Sequence, residues 1–346
     1  MAGMIAAASW PRPDALEERL LAIDPHNETL RDAQIRDLPG LLVPGDVLVL
    51  NDAATLPASL HTADRSLEVR LLARRGSDAE WLALLLGPGD HRVPTEARPP
   101  PRSLELGELL VFSKELSARV SAIDPETPRV FELRFDRIGG ELFRLLYEVG
   151  RPVQYAYVAA PLELWHVQST FSARPWALEM PSAGRPLSFR LLADLKRRGI
   201  ELGSLTHAAG LSSTGSELVD RRLPLDEHYA MPERTCHLIG EAKRRGGRIV
   251  AVGTTVVRAL ESCALRGAGK LEPGEGLATL RLGPGYRLQV VDGLLTGIHP
   301  AGSTHFALLE AFAPKALLEA ALAHAGRVGY LQHEFGDSCL ILPQAA

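Results

Sequence analysis

Residues 248–262 have the sequence RIVAVGTTVVRALES, which is the sharpest local signal in the chain. Its apolar start predicts a buried strand, Gly253 and the two threonines predict a turn, and the remainder predicts a helix. Backbone N–H groups at such a helix start favour a bound carboxylate or phosphate. Thr254 or Thr255 can cap the helix through its hydroxyl, and Arg258 would project from the same side of the first turn. The alternative is an ordinary capped helix with Arg258 exposed to solvent.

The segments around this stretch alternate between helix and strand patterns. Residues 187–199 and 232–247 have apolar residues at helical spacing and end in basic residues followed by glycine, as helix C-termini do. Residues 41–50, LLVPGDVLVL, predict a buried strand that ends at Asn51 and Asp52. Polar residues in that position lie at the carboxyl edge of a sheet, where ligands bind in α/β folds, or form a plain turn. The alternation predicts an α/β layer with parallel pairing.

A β-rich segment interrupts this pattern. Between residues 67 and 135, short apolar runs such as LEVRLLA, WLALLL and VFELRF are separated by turn residues. Their spacing of about 8–12 residues predicts an antiparallel barrel or sandwich. We therefore expect an α/β main domain with an inserted antiparallel β-barrel domain. The main domain is expected to comprise residues 1–64 and 137–346, and the insertion residues 65–136.

The composition is that of a globular protein of 346 residues. Hydrophobic residues account for 46% and charged residues for 23%, which excludes a disordered chain. The net charge of −4 argues against an overall electrostatic clamp on nucleic acid but leaves a local basic patch open. The apolar runs are too short for a membrane span, and three scattered cysteines predict a reducing, cytoplasmic location. Without a P-loop, a GxGxxG fingerprint, or CxxC, HxH or HxxxH spacing, we expect no ATP, NAD or metal ion.

Two further loops carry candidate chemistry. Residues 292–304, DGLLTGIHPAGST, bring His299 close to several hydroxyl groups, and a histidine in such a loop can act as a general base or as a donor to a substrate. The alternatives are a solvent-exposed His299 and a Ser303 that only caps the next helix. Residues 204–215, SLTHAAGLSSTG, place His207 between an apolar run and two glycines. A functional loop and a polar turn both fit that pattern.

Taken in order, these segments resemble the S-adenosylmethionine:tRNA ribosyltransferase-isomerase family of the queuosine pathway. The family's PGDLLVLNDTRVIPARL is similar to PGDVLVLNDAATLPASL at 44–60, and its GGRVIAVGTTSVRTLES to GGRIVAVGTTVVRALES at 246–262. Its PGY…VD…TNFHLPKST is similar to residues 284–304, and its YGDAMLI to FGDSCLI at 335–341. The matches follow the family's order along nearly the whole chain.

The resemblance implies an α/β domain with a β-barrel inserted near its N-terminal part. It also implies transfer of the ribosyl part of S-adenosylmethionine to a 7-aminomethyl-7-deazaguanine base in tRNA, with release of adenine and methionine and formation of epoxyqueuosine. His299 and His207 are expected to transfer a proton or to orient the ribose, and His299 is preferred because its motif is better kept. The residues expected to bind S-adenosylmethionine are Asn51, Asp52, Gly253, Thr254, Thr255, Arg258, Ser303 and Asp337.

The middle third departs from the family pattern. PTAGLHFT is replaced by PSAGRPLSF at 181–189, which removes a histidine, and Gly297 replaces the Asn of TNFH. These changes leave three alternatives: a tRNA acceptor, a small-molecule acceptor used by a paralogue, and an inactive binding protein. The basic clusters at 196–198 and 243–245 are expected to contact tRNA phosphates, or only to complement the helix C-termini that they follow.

Overall fold

The protein is described here by a computed structural model that covers residues 5–344. Its strands are β1 (Ala6–Ala7), β2 (Arg19–Asp24), β3 (Thr29–Gln34), β4 (Val47–Asn51), β5 (Ala53–Thr55), β6 (Ser59–His61), β7 (Glu68–Arg74), β8 (Glu80–Leu86), β9 (Leu109–Val111), β10 (Ser117–Ile123), β11 (Val130–Phe135), β12 (Arg174–Ala177), β13 (Glu201–His207), β14 (Glu227–Met231), β15 (Ile249–Val252), β16 (Gly274–Ala278), β17 (Gly293–Gly297), β18 (Leu331–Gln332) and β19 (Ser338–Ile341). Its α-helices are α1 (Leu38–Leu41), α2 (Gly139–Val149), α3 (Phe189–Arg197), α4 (Glu217–Asp220), α5 (Glu233–Arg244), α6 (Thr254–Arg266), α7 (Thr304–Leu309) and α8 (Lys315–Val328).

A nine-stranded mixed sheet has the order β16-β14-β13-β4-β15-β17-β19-β2-β3. Its neighbouring strands β13, β4, β15 and β17 are parallel to one another. Along the chain, β4 comes before its two neighbours in the sheet. The next of these, β13, lies on one side of β4, and the later one, β15, lies on the other side. The strand order therefore reverses at β4. Ligands of open α/β sheets bind at such a reversal, beside the carboxyl ends of the strands.

Helices cover both faces of this sheet. Val47 and Val49 of β4 belong to a core cluster that includes residues of α5, α6 and α8. Leu48 and Leu50 belong to a second cluster, which includes residues of α1 and α3. Alternate side chains of one strand are thus buried on opposite faces, and this explains why β4 and β15 are continuous apolar runs. The predicted α/β layer is present.

The predicted β-rich insertion is a six-stranded antiparallel sheet in the order β6-β7-β8-β11-β10-β9. Its first strand begins at Ser59, before the predicted boundary at residue 65. Among the described residues, the edge strands β6 and β9 form no ladder with each other, so strand pairing does not close the predicted barrel. Each edge strand has only 3 residues, whereas closure requires the edges to pair along their length. The division into domains stays a prediction, and residues 1–4 and 345–346 lie outside the described range.

The structure also bears on membrane-spanning helices, metal-ion sites and the three cysteines. Between residues 5 and 344, no helix is long and apolar enough to cross a membrane. The same part of the chain contains no group of three or more His, Cys, Asp or Glu residues that could hold a metal ion. Cys236, Cys263 and Cys339 are all free.

Candidate active site

The carboxyl ends of the parallel strands open onto a cavity of about 790 Å³. Small-molecule sites typically have volumes of about 300–1,000 Å³. The cavity is lined by the start of α6, the loops after β13 and β17, and a wall that includes residues 155–157, 179–183 and 333–334. Six of the predicted site residues line it: Gly253, Thr254, Thr255, Arg258, His299 and Ser303. The cavity therefore lies at the sheet edge where the reversal of strand order leads us to expect a ligand.

The predicted strand, turn and helix are present at the centre of this site. However, neither threonine caps α6, because the N-cap residue is Gly253, which has no hydroxyl. Its φ of 92° makes the tight turn between β15 and α6, and an L side chain would be strained there. Within residues 5–344, the backbone N–H groups of Thr254 and Thr255 have no acceptor. They remain available to an anionic group of a ligand.

Arg258 is buried and already has several partners. Its guanidinium forms an ion pair with Glu227. It also donates to the carbonyl oxygens of Leu225 (3.0 Å), Ala278 (2.7 Å) and Leu280 (3.2 Å). Burial lowers the pKa of Arg258 to about 10, so the side chain stays cationic at neutral pH. The alternative that Arg258 is exposed to solvent is therefore wrong. Because Glu227 already balances much of the charge of Arg258, a contact between Arg258 and the substrate stays a prediction.

His207 is fully buried and lies behind the Arg258–Glu227 pair rather than in the cavity lining. Its Nε2 atom is 3.5 Å from Glu227 Oε2, and neither ring nitrogen has a hydrogen-bond partner among the described residues. Burial, followed by the charge of Arg258, holds the pKa of His207 well below its usual value. Asn51 holds the backbone in place: its side chain donates to the His207 carbonyl (3.0 Å) and accepts from the His207 N–H (2.9 Å). Asn51 thus connects the ends of β4 and β13.

The loop after β17 and the start of α7 each bring a histidine into the cavity, His299 and His305. The Nε2 atom of His299 is 2.8 Å from Thr296 Oγ1, and its ring stacks on His305 with centroids 4.8 Å apart. Burial, followed by the charge of His305, holds the pKa of His299 well below its usual value. His299 is therefore neutral at pH 7, and a neutral imidazole can accept a proton.

Three other predicted site residues have structural partners. Ser303 is the N-cap of α7 and accepts a hydrogen bond from the Phe306 N–H at 3.1 Å, which confirms its predicted capping role, although it also lines the cavity. Asp52 accepts hydrogen bonds from two hydroxyl groups of β13, at 2.5 and 3.1 Å. Asp337 is buried and pairs with Arg12 at 2.5 Å. Neither aspartate lines the cavity, so a role for them in binding S-adenosylmethionine stays a prediction.

One wall of the cavity consists of residues to which no role was assigned from the sequence, and we call it the tyrosine–glutamate wall: Tyr155, Tyr157, Glu179, His333 and Glu334. Tyr155 donates its hydroxyl hydrogen to Glu179, and Tyr157 donates to Glu334. Burial, followed by the charge of Glu334, raises the pKa of Glu179 to about 7. The members of these two pairs are 24 and 177 positions apart in the chain, so no motif joins them. The only local signal is the paired tyrosines of RPVQYAYV at 151–158.

The basic clusters at 196–198 and 243–245 lie at the opposite edge of the nine-stranded sheet. They precede β13 and β15, whose carboxyl ends face the cavity. These strands have 7 and 4 residues, which places the clusters about 13–23 Å from the cavity edge. Three of their arginines are paired with carboxylates: Arg197 with Asp194, Arg244 with Glu241, and Arg245 with Glu201. Their contact with tRNA stays a prediction.

Known proteins resemble this chain along nearly its whole length. A family model described as "Queuosine biosynthesis protein" matches residues 4–341. The chain belongs to this family. It is 35% identical to the S-adenosylmethionine:tRNA ribosyltransferase-isomerase of Gloeobacter violaceus, over 98% of this chain and 93% of that protein. It is 36% identical to the protein of the same name from Thermus thermophilus, over 89% and 88% of the two chains.

A solved structure extends the family comparison to the fold. The crystal structure of an S-adenosylmethionine tRNA ribosyltransferase from Thermotoga maritima has a TM-score of 0.53 and 26% identity to this chain. The match covers 97% of this chain and 96% of that one. The resemblance to the queuosine biosynthesis family that the motifs indicated is therefore confirmed.

The departures from the family pattern leave the cavity intact. Pro186 stands where the family pattern has a histidine, and it is buried outside the cavity lining. Gly297, which replaces an asparagine, does line the cavity. No atom lies within 4 Å of the place where its Cβ would be, so this replacement leaves space open.

Proposed function

We propose that this protein transfers the ribosyl group of S-adenosylmethionine to the 7-aminomethyl-7-deazaguanine base of tRNA, forming epoxyqueuosine and releasing adenine and methionine. The cavity at the carboxyl ends of β13, β15 and β17 carries this assignment, because two of the matched family segments, 246–262 and 284–304, line it. Full-length relatives named for this reaction support it. S-adenosylmethionine is a ribosyl donor in this reaction, not a methyl donor. A tRNA substrate also supports the cytoplasmic location expected from the scattered cysteines.

The start of α6 and the loop after β17 have separate tasks in this reaction. The unpaired N–H groups of Thr254 and Thr255 bind the methionyl carboxylate or a ribose hydroxyl, because a helix start carries partial positive charge. Arg258 strengthens this positive field from behind. Neutral His299 exchanges a proton with the ribosyl group, since opening a ribose ring requires proton transfer near the sulfonium centre.

The first test is adenine release. Incubation with S-adenosylmethionine and tRNA that carries the aminomethyl base is expected to release one adenine for each ribosyl group transferred. Chromatography measures the adenine, and mass spectrometry of digested tRNA measures the transfer; tRNA with guanine at the same position is the control. Adenine release with the free base but not with tRNA would instead indicate a small-molecule acceptor. Binding of S-adenosylmethionine without turnover by any acceptor would indicate a binding protein.

The mouth of the cavity provides a surface for tRNA phosphates. Arg221 and Arg281 line the cavity and are exposed to solvent. Arg221 is paired with Glu217, whereas Arg281 donates to the backbone carbonyls of Arg222 and Pro224 and, within the described residues, has no carboxylate partner. Its charge is therefore available to a phosphate, unlike the paired charge of Arg244 at the opposite edge. We place the tRNA backbone at the cavity mouth.

A matched pair of charge reversals tests this placement. Arg281→Glu is expected to weaken tRNA binding and to reduce the slope of log affinity against log salt by about 1, because each neutralised phosphate releases counterions. Arg244→Glu, at the opposite sheet edge, is expected to change neither value. Fluorescence titration of tRNA at several salt concentrations measures both the affinity and its salt dependence. The opposite result, with Arg244→Glu weakening binding and Arg281→Glu having no effect, would move the tRNA to the basic clusters at 196–198 and 243–245.

A further inference from the structure

The tyrosine–glutamate wall lines the same cavity, and the roles proposed above for the start of α6 and for His299 leave it without a function. Its side chains come from three separate segments of the chain. A wall of this kind, facing the same cavity as the ribosyl donor, is in a position to hold the second substrate.

The aromatic rings of this wall favour a flat ligand. Tyr157 lies between Tyr155 and His333: its ring centroid is 6.0 Å from that of Tyr155 and 4.3 Å from that of His333. The interplanar angles are 14° and 22°, so the three rings are close to parallel. Proteins that act on a nucleobase take it out of its strand and stack it on such rings.

The carboxylates of the wall favour a cation. Glu179 accepts from the hydroxyl of Tyr155 and from the Ser212 N–H at 3.1 Å, and Glu334 accepts from the hydroxyl of Tyr157. Neither carboxylate has an ion-pair partner in the part of the chain that the structure describes. Two neighbouring negative groups without a counter-charge repel each other, and a positively charged ligand relieves that repulsion.

We propose that the tyrosine–glutamate wall is the subsite for the acceptor base, an assignment that rests on the proposed function. His333, the exposed outer ring of the stack, packs on the deazaguanine, Glu334 binds its aminomethyl ammonium group, and Glu179 removes a proton from that group.

The step assigned to Glu179 is a single proton transfer. A primary ammonium group has no lone pair, and its pKa is about 10, so almost none of it is a nucleophile at pH 7. One N–H bond breaks, the electron pair stays on nitrogen, and the proton moves to a carboxylate oxygen of Glu179. The free electron pair then forms the bond from nitrogen to the ribosyl group. Over the whole reaction, the bonds from that group to adenine and to the methionine sulfur break, and their electron pairs leave with adenine and methionine. The pKa of Glu179, raised to about 7, suits a group that accepts a proton near neutral pH.

The other ionisable groups around Glu179 define its charge environment. Burial raises the pKa of both Tyr155 and Tyr157, so neither phenol ionises near neutral pH. Glu334 and His333 border the same cavity, and the Arg70 guanidinium lies behind the ring of Tyr155, 5.6 Å from its centroid. Glu334 therefore supplies the nearest negative charge, which raises the pKa of Glu179 and attracts the ammonium group.

The pH dependence of Glu179→Gln tests the proton transfer. For the wild-type enzyme, kcat/KM for aminomethyl-tRNA is expected to rise with pH to about 7 and then level off. For Glu179→Gln, it is expected to fall about 10²–10⁴-fold at pH 7 and to rise about tenfold per pH unit from 7 to 9, since the variant depends on free amine formed in solution. Glu179→Asp, which keeps a carboxylate, is expected to restore the plateau. Binding of S-adenosylmethionine and the melting temperature are measured for each variant.

Glu334→Gln tests ammonium recognition separately. The wild-type enzyme is expected to bind aminomethyl-tRNA about 10- to 100-fold more tightly than tRNA with guanine at that position, because a charged hydrogen bond forms only with the former. Glu334→Gln is expected to abolish this preference without changing affinity for guanine-containing tRNA. Glu141→Gln, at an exposed position on α2, is the control and is expected to behave as wild type.

Two results would overturn the assignment, and both differ from a failure of the proposed function. One is an active wild-type enzyme whose Glu179→Gln variant keeps the wild-type plateau. The other is a Glu334→Gln variant that keeps the preference for aminomethyl-tRNA. If the wild-type enzyme itself releases no adenine with this tRNA, the proposed function fails instead.

Discussion

Arg258→Ala is expected to lower the free energy of unfolding by about 3–5 kcal/mol, the usual result when one partner of a buried ion pair is removed. The side chains of Arg258 and Glu227 are only 6% and 9% exposed, so the variant would leave the Glu227 carboxylate buried without its cation. Three backbone carbonyls would also lose their donor. Urea denaturation monitored by circular dichroism measures the change.

A matched control and a double variant separate this stabilising role from substrate binding. Arg266→Ala, at an exposed position of the same helix, is expected to change the free energy of unfolding by less than about 1 kcal/mol. Arg258→Met combined with Glu227→Gln is expected to lose less stability than the sum of the single changes, because the two residues interact directly. An Arg258→Ala variant of nearly wild-type stability whose affinity for S-adenosylmethionine has dropped would show that Arg258 mainly binds substrate.

His299→Ala is expected to lower the rate of adenine release by about 10²–10⁴-fold, the range for loss of a positioned acid–base group. Affinity for S-adenosylmethionine, measured by calorimetry, is expected to change only a few-fold. His299 is neutral in the wild-type enzyme because burial holds its pKa below the usual 6.5. Protonation of His299 should therefore reduce activity only below pH 6.5. In the pH profile, this effect is hidden by the loss of activity below about pH 7 that protonation of Glu179 is expected to cause.

Chemical rescue distinguishes proton transfer from a purely structural role of His299. Added imidazole is expected to restore part of the adenine release of His299→Ala, since a small base can enter the space left by the side chain. His237→Ala, whose side chain is 75% exposed on α5, serves as the control and should keep full activity. Adenine release by His299→Ala at the wild-type rate would exclude His299 from proton transfer.

The candidate site could be predicted where its residues follow one another in the chain. Gly253, Thr255 and Arg258 belong to one strand–turn–helix stretch, and the structure places all three at the cavity. His299 belongs to one glycine-rich loop and also lines the cavity. The predicted threonine cap was wrong, because the turn required the positive φ of Gly253 instead of a hydroxyl.

The local helices and strands could be predicted from the amino-acid sequence, because hydrophobic periodicity and turn residues act between near neighbours in the chain. The sequence therefore indicated the buried strand at 47–51, the helix after Gly253 and the change to a β-rich segment. Contacts between distant side chains depend on the tertiary structure, which brings Asn51 to His207 across 156 positions and Tyr157 to Glu334 across 177. The tertiary structure also determines that, among the described residues, the edge strands β6 and β9 form no ladder with each other. Strand order and loop paths determine such contacts, and the residues on either side of a contact carry no local signal of each other.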